Sequence, residues 1–121
     1  MIGIGVDVVE IERFRRSLER TPTMRDRLFT ASELAYVEPQ SDPVPSLAAR
    51  FAAREAVMKA LGLGLGAFGF HDVWVERADS GVPSLAFAGR AAALADAAGV
   101  RRWHLSLTHS ELVAVAYVVA E

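Results

Sequence analysis

The sequence contains no cysteine, which excludes disulfides, thiolate metal sites and cysteine nucleophiles. It has a single lysine, Lys59; every other basic side chain is arginine. Histidine is confined to His71, His104 and His109, with no second histidine at metal-ligand spacing, and no serine stands in a nucleophile-elbow pattern. No apolar run approaches the roughly 18 residues of a membrane span, and the amino terminus enters a strand pattern rather than a signal peptide. These absences predict a soluble, cytoplasmic protein with no membrane partner. A net charge of −2 also rules out a generally basic nucleic-acid binder.

What is present is 121 residues, 52% hydrophobic and 23% charged, the composition of one globular domain spanning residues 1–121. Such a chain can bury about two-thirds of its unfolded surface. Residues 2–9 alternate as a strand, with Ile2, Ile4, Val6 and Val8 on one face and Gly3, Gly5 and Asp7 on the other. The glycines leave room beside Asp7 for close backbone packing or for a ligand. A helix from about Glu10 to Arg20 follows, its core stripe made by Ile11, Phe14 and Leu18. Residues 23–38 read as one or two short helical turns capped by Thr30 or Ser32 before Glu33. A proline-bearing loop leads to Ser46, a candidate cap for a central helix from Leu47 to Leu61 that stops at Gly62. A hairpin, an alanine-rich helix and two final strands complete the order β-α-α-β-β-α-β-β. The fold class is α+β, with a mostly antiparallel sheet.

The most informative stretch is residues 51–60, which sets Glu55 and Lys59 one turn apart on a helix otherwise built of alanine and core residues. Such a pair is ordinarily a solvated bridge stabilising the helix by about 0.2–0.5 kcal/mol. The alanines at 48, 49, 52, 53, 56 and 60 leave little polar face for that role, and Asp7 offers a second carboxylate. Two carboxylates and a compact ammonium suit the holding of a divalent metal against a phosphate. The glycines at 62, 64, 66 and 69 read as a helix stop and chain reversal, or as backbone lining a phosphate pocket. His109 closes a strand at a hairpin mouth, a common place for ligand contacts. Between Arg13 and Arg27, six arginines stand against Glu19 and Asp26. Arg13, Arg16 and Arg20 share one helix face, a solvated surface or a dock for an acidic partner. Aromatic side chains do not interleave these arginines, so nucleic acid is not the expected partner.

Three motifs carry a resemblance across the whole chain. Gly5-Val-Asp-Val-Val-Glu-Ile-Glu-Arg13, Arg50-Phe-Ala-Ala-Arg-Glu-Ala-Val-Met-Lys-Ala-Leu-Gly62 and Ser106-Leu-Thr-His109 resemble, in order and spacing, those of the holo-acyl-carrier-protein synthase group of the 4′-phosphopantetheinyl transferases. The resemblance implies transfer of the phosphopantetheine arm of coenzyme A to a serine of an acyl carrier protein, in support of fatty acid biosynthesis. It implies Asp7 and Glu55 as Mg²⁺ ligands, and Glu55 and Lys59 as catalytic groups, with Lys59 near the diphosphate. Arg50, Arg54, Gly62, Gly64 and His109 are implied to line the coenzyme site, and Arg13, Arg16 and Arg20 to meet the acidic carrier. It also implies a homotrimer with active sites between subunits. The chain departs from the family at Arg54, where lysine is usual, and an arginine cannot easily act as a base. Glu55, a metal-bound water and Lys59 all remain candidate bases. Two other classes fit the same residues: another Mg²⁺-dependent phosphate or nucleotide enzyme using Asp7 and Glu55, and a noncatalytic oligomeric binding module.

Overall fold

The computed structural model describes residues 1–121. Its strands are β1 (Gly3–Glu10), β2 (Val73–Arg77), β3 (Pro83–Phe87), β4 (Trp103–His109) and β5 (Val113–Ala120). Its helices are α1 (Ile11–Arg20), α2 (Met24–Leu28), α3 (Ala31–Val37), α4 (Val44–Ala60) and α5 (Gly89–Ala97). All strand pairing is antiparallel, in a three-stranded sheet of order β1-β5-β4 and a separate β2-β3 hairpin. The expected α+β order holds, with α2 and α3 as the two short turns and α1, α4 and α5 as the principal helices.

Helix α4 is the centre of the molecule. It is buried nearly all round, as expected for a helix that is apolar on most sides. One side packs Ala52, Ala53, Ala56 and Ala60 into a core with Ala116, Val118 and Ala120 of β5 and with Val73 and Val75 of β2. Another carries Leu47, Ala48 and Ala49 into a second core, where the Ile11/Phe14/Leu18 stripe of α1 meets Phe29 and Val37. The two sheets abut where Phe87 of β3 stacks on Trp103 of β4, ring centroids 4.7 Å apart.

The start of α4 differs from the sequence expectation. The helix begins at Val44, with Pro45 in its first turn, a position where the missing N–H costs nothing. Ser46 does not cap it: its hydroxyl donates to Gln40 Oε1 at 2.9 Å. Asp42 Oδ1 instead accepts the Val44 N–H at 3.2 Å. The helix ends as expected at Gly62. Leu63 N–H bonds Met58 O at 2.8 Å and Gly62 N–H bonds Lys59 O at 3.0 Å, a Schellman closure with Gly62 at φ 69°. The expected Thr30 cap is present as a full capping box with Glu33.

Strand β1 turns its glycine face inward, against α4. A Cβ placed on Gly3 would lie 1.7 Å from Ala60 O, and one on Gly5 would lie 1.9 Å from Ala56 O. The room beside Asp7 is therefore filled by helix backbone, while the branched face of β1 points outward. Gly5→Ala is expected to lower unfolding free energy by about 3 kcal/mol, the upper end for overpacking. Gly64→Ala, where an added Cβ meets nothing within 4 Å, should stay within about 0.5 kcal/mol of wild type. Paired urea titrations of the two variants check this, and equal stability would contradict the close-packed account.

Candidate active site

Asp7 follows the two glycines on the inward face of β1, opposite Ala116 of β5, so it meets α4 one turn beyond the point of closest approach. There its Oδ1 accepts a hydrogen bond from Lys59 Nζ at 3.0 Å, and the same ammonium donates to Val6 O at 3.0 Å. The Glu55–Lys59 bridge that helix spacing would allow does not form; Lys59 crosses to the strand instead. The Lys59 side chain is 55% exposed and that of Asp7 only 17%, so the ammonium sits over a carboxylate that is mostly enclosed.

Glu55 makes no ion pair and lines the same cavity as Asp7. Burial first, and the negative charge of Asp7 second, raise its carboxyl above the ordinary glutamate value, with Lys59 pulling the other way. The cavity is about 420 Å³, walled by Val9, Phe14, Met24 and Phe51, with Arg13 at its edge. One α1 residue of the arginine face thus lines the same cavity as the carboxylate pair.

The other expected site residues are dispersed. Arg54 is fully buried: Nη1 and Nη2 fork onto Glu33, and Nε donates to Phe70 O at 2.8 Å. Its guanidinium is committed to partners inside the protein in this single chain. Arg50 is also buried, with Nη1 donating to Ser46 O at 3.2 Å and its guanidinium 4.7 Å above the Tyr36 ring. Burial lowers its pKa, and its Nε has no partner. His109 ends β4, two strands from β1, at a separate cavity shared with Arg15, Asp42 and Glu111. Gly62 and Gly64 are exposed in the turn beyond α4. Within one chain only Asp7, Glu55, Lys59 and Arg13 come together.

These elements have close counterparts. The profile of the 4′-phosphopantetheinyl transferase superfamily matches residues 3–118. The chain is 53% identical to a holo-[acyl-carrier-protein] synthase of Streptomyces avermitilis over 100% of its own length and 98% of that protein's. The crystal structure of the holo-[acyl-carrier-protein] synthase from Neisseria meningitidis superposes with a TM-score of 0.91 at 32% identity, covering 100% of this chain and 98% of that one. A Bacillus anthracis holo-(acyl-carrier-protein) synthase in complex with CoA (3′,5′-ADP) gives 0.82 at 32% identity, covering 98% and 95%. The chain belongs to the 4′-phosphopantetheinyl transferase superfamily.

Arg13, Arg16 and Arg20 are exposed and take part in no ion pair, on the side of α1 away from the buried Ile11, Phe14 and Leu18. Arg15 differs from them. It clasps Asp42 with both terminal nitrogens, at 2.9 and 2.8 Å, and Glu12 through Nε, tying α1 to the loop before α4. Sequence reasoning did not find Met24 and Phe51 as cavity walls, nor Glu33 as the partner of Arg54. The one available signal for Glu33 was its capping-box spacing from Thr30, which says nothing of a second partner.

Because its folded pKa is raised, Glu55 favours the folded state most fully below the ordinary value of about 4.3, and that contribution is lost as pH rises through the folded value. Asp7→Asn is expected to lower the Glu55 titration midpoint yet leave it above the ordinary value, since burial is the larger cause. Carboxyl carbon-13 titration reads this, and an unchanged midpoint would mean that the two carboxylates do not sense each other.

Proposed function

We propose that this protein transfers the 4′-phosphopantetheine group of coenzyme A to a serine of an apo acyl carrier protein, releasing adenosine 3′,5′-bisphosphate, in support of fatty acid biosynthesis. The observation that carries the reading is the Asp7–Glu55–Lys59 cluster at a cavity edged by the unpaired Arg13 of α1, in a chain about half identical to holo-[acyl-carrier-protein] synthases over its whole length. The serine oxygen attacks the β-phosphorus, and the bond from that phosphorus to the bridging oxygen of the diphosphate breaks. Charge develops on the phosphoryl and leaving oxygens, so cationic groups and in-line placement supply most of the catalysis.

The carboxylate pair suits Mg²⁺. Asp7 and Glu55 line one cavity, and burial and the Asp7 charge raise the Glu55 carboxyl, so the two carboxylates would hold a divalent cation. No third His, Asp or Glu joins them, which leaves coordination positions for water and phosphate oxygen. The ion, when bound, neutralises charge on the diphosphate. Lys59 exchanges its Asp7 contact for the diphosphate, and Glu55 receives the serine proton through a water. Arg50 and His109, in separate cavities of one chain, and the Gly62–Gly64 turn serve the coenzyme in the assembled trimer.

Assembly follows from the outer face of the three-stranded sheet. There Ile4, Val6 and Val8 of β1 lie beside Val119, Tyr117 and Val115 of β5, with Val6 at 47%, Val8 at 57% and Tyr117 at 44% exposure. A contiguous apolar face of this kind is a subunit contact, here between three copies, and it completes the site with residues one chain keeps apart. Val6→Glu should convert a trimer to single chains in sedimentation and abolish transfer. A wild type that sediments as a single chain at micromolar concentration would remove the trimer from this account. No helix is long and apolar enough to cross a membrane.

The direct test incubates the protein with coenzyme A, Mg²⁺ and an apo carrier protein, and weighs the carrier for one added phosphopantetheine. Asp7→Ala and Glu55→Ala should each reduce kcat by at least about 100-fold, within the range of losing one transition-state contact. Arg13→Glu/Arg16→Glu/Arg20→Glu should raise the carrier KM steeply and leave coenzyme A affinity within twofold. Added salt should raise the wild-type carrier KM as well, because exposed charges are screened over about 10 Å at 0.1 M. An unmodified carrier would refute the transferase reading, and a carrier KM indifferent to charge reversal and salt would refute docking on α1.

A further inference from the structure

Two ionised side chains lie wholly inside the protein with no role in the reaction as described. Arg54 is 0% exposed and Glu33 1%. Burying such a pair is rarely a gain in stability over apolar side chains of similar volume, so its presence calls for another reason. The bonds it makes supply one. Arg54 Nη1 donates to Glu33 Oε2 at 2.9 Å and to Arg50 O at 3.2 Å, Nη2 donates to Glu33 Oε1, and Nε donates to Phe70 O at 2.8 Å. Glu33 in turn accepts Val75 N–H at 3.1 Å and Thr30 N–H at 3.0 Å. One guanidinium and one carboxylate therefore join α3, α4, the segment before β2 and β2 itself.

The position on α4 matters as much as the number of bonds. Arg54 is the residue before Glu55, and successive helix residues point about 100° apart, so holding one sets the direction of the next. On the β1 side, the one polar tie is the half-exposed Lys59 ammonium, whose placement is what needs explaining; the rest is apolar contact of Ala56 and Ala60 with Gly3 and Gly5. Contact of that kind draws helix and strand together but is non-directional and does little against roll or slide. Hydrogen bonds are directional, and the Arg54–Glu33 fork is bidentate. A lysine ammonium, a point charge on a flexible stem, does not reproduce that planar fork.

We propose that Arg54 and Glu33 are positioning residues for the transfer reaction: their buried fork sets the roll of α4 that holds Glu55 and Lys59 opposite Asp7. This rests on the reading of Asp7 and Glu55 as the metal-binding pair, and the test separates the two. Lys59 is the only lysine, so its ammonium gives one unique nitrogen-15 signal that reports its contact with Asp7 and Val6 without any metal. The variant to measure is Glu33→Gln/Arg54→Gln, which removes both charges of the fork together and adds no lysine; Arg50, buried nearby, loses the Glu33 charge that favours its ionised form. The control is Leu47→Ala, a buried apolar deletion on the same helix.

The expected result is a folded double variant by circular dichroism, with a shifted, faster-exchanging Lys59 signal. Its Mg²⁺ dissociation constant, measured by calorimetry, should rise about tenfold, as for the loss of a group orienting a ligand. kcat should fall and the carrier KM stay within twofold. Leu47→Ala should lower the melting temperature and move none of these. A folded double variant with wild-type Lys59 signal and Mg²⁺ affinity would overturn the proposal and leave the pair a purely structural bridge. If the double variant does not fold, Arg54→Lys carries the test: a wild-type Mg²⁺ constant there overturns the proposal, and a weakened one supports it. A wild type that binds no Mg²⁺ would sink the metal reading instead, and the Lys59 signal alone would then decide for or against the lock.

Discussion

The backbone of α4 lies against β1 with no side-chain layer between them, because the strand presents Gly3 and Gly5 and the helix presents Ala56 and Ala60. This contact places the functional groups. Residues on one strand face recur every second position, so the face that carries the two glycines also carries Asp7. The helix brings Glu55 and Lys59 to that face one turn along. If the glycines carried side chains, α4 would be held off the strand, and the 3.0 Å contact between Lys59 and Asp7 would open. The packing is also why β5 is alanine-rich inside, with Ala114, Ala116 and Ala120 buried beneath the same helix.

Charge is arranged around that contact in two different environments. At the mouth, Asp7, Glu55 and Lys59 are partly solvated, so they can exchange partners when a cation or phosphate arrives. Burial has already shifted Glu55 towards its neutral form, leaving it sensitive to any nearby positive charge. Inside, Arg54 and Glu33 are dry and fully engaged, and they do not exchange. Neighbouring residues of one helix thus have opposite duties, with the rigid pair orienting the labile one.

The outer face of the three-stranded sheet supplies the remaining constraint. A monomer exposing the branched row of β1 beside Tyr117 would invite association, and the proposed trimer would cover that face. Arg13, at the edge of the cavity, links this centre to α1, whose free arginines face solvent because Ile11, Phe14 and Leu18 hold the opposite side down.

The periodicities were legible from the chain alone. The stripe of α1, the alternation of β1, the Gly62 stop of α4 and the Thr30–Glu33 box all depend on residues within a few positions of one another, and each is where those local rules place it. The motifs around Asp7 and Glu55 likewise marked the residues that share the cavity. Partner choice was not legible. The helix rule of four residues pairs Lys59 with Glu55, yet the ammonium takes Asp7, fifty-two residues away, which the packing of β1 on α4 brings to 3.0 Å. The partner of Arg54 was hidden for the same reason, since Glu33 lies twenty-one residues upstream on a separate helix. Local geometry decides which way a side chain points along its own element. Which charge it meets there is decided by how elements pack, and that packing follows from small residues whose significance appears only once strand and helix are in contact.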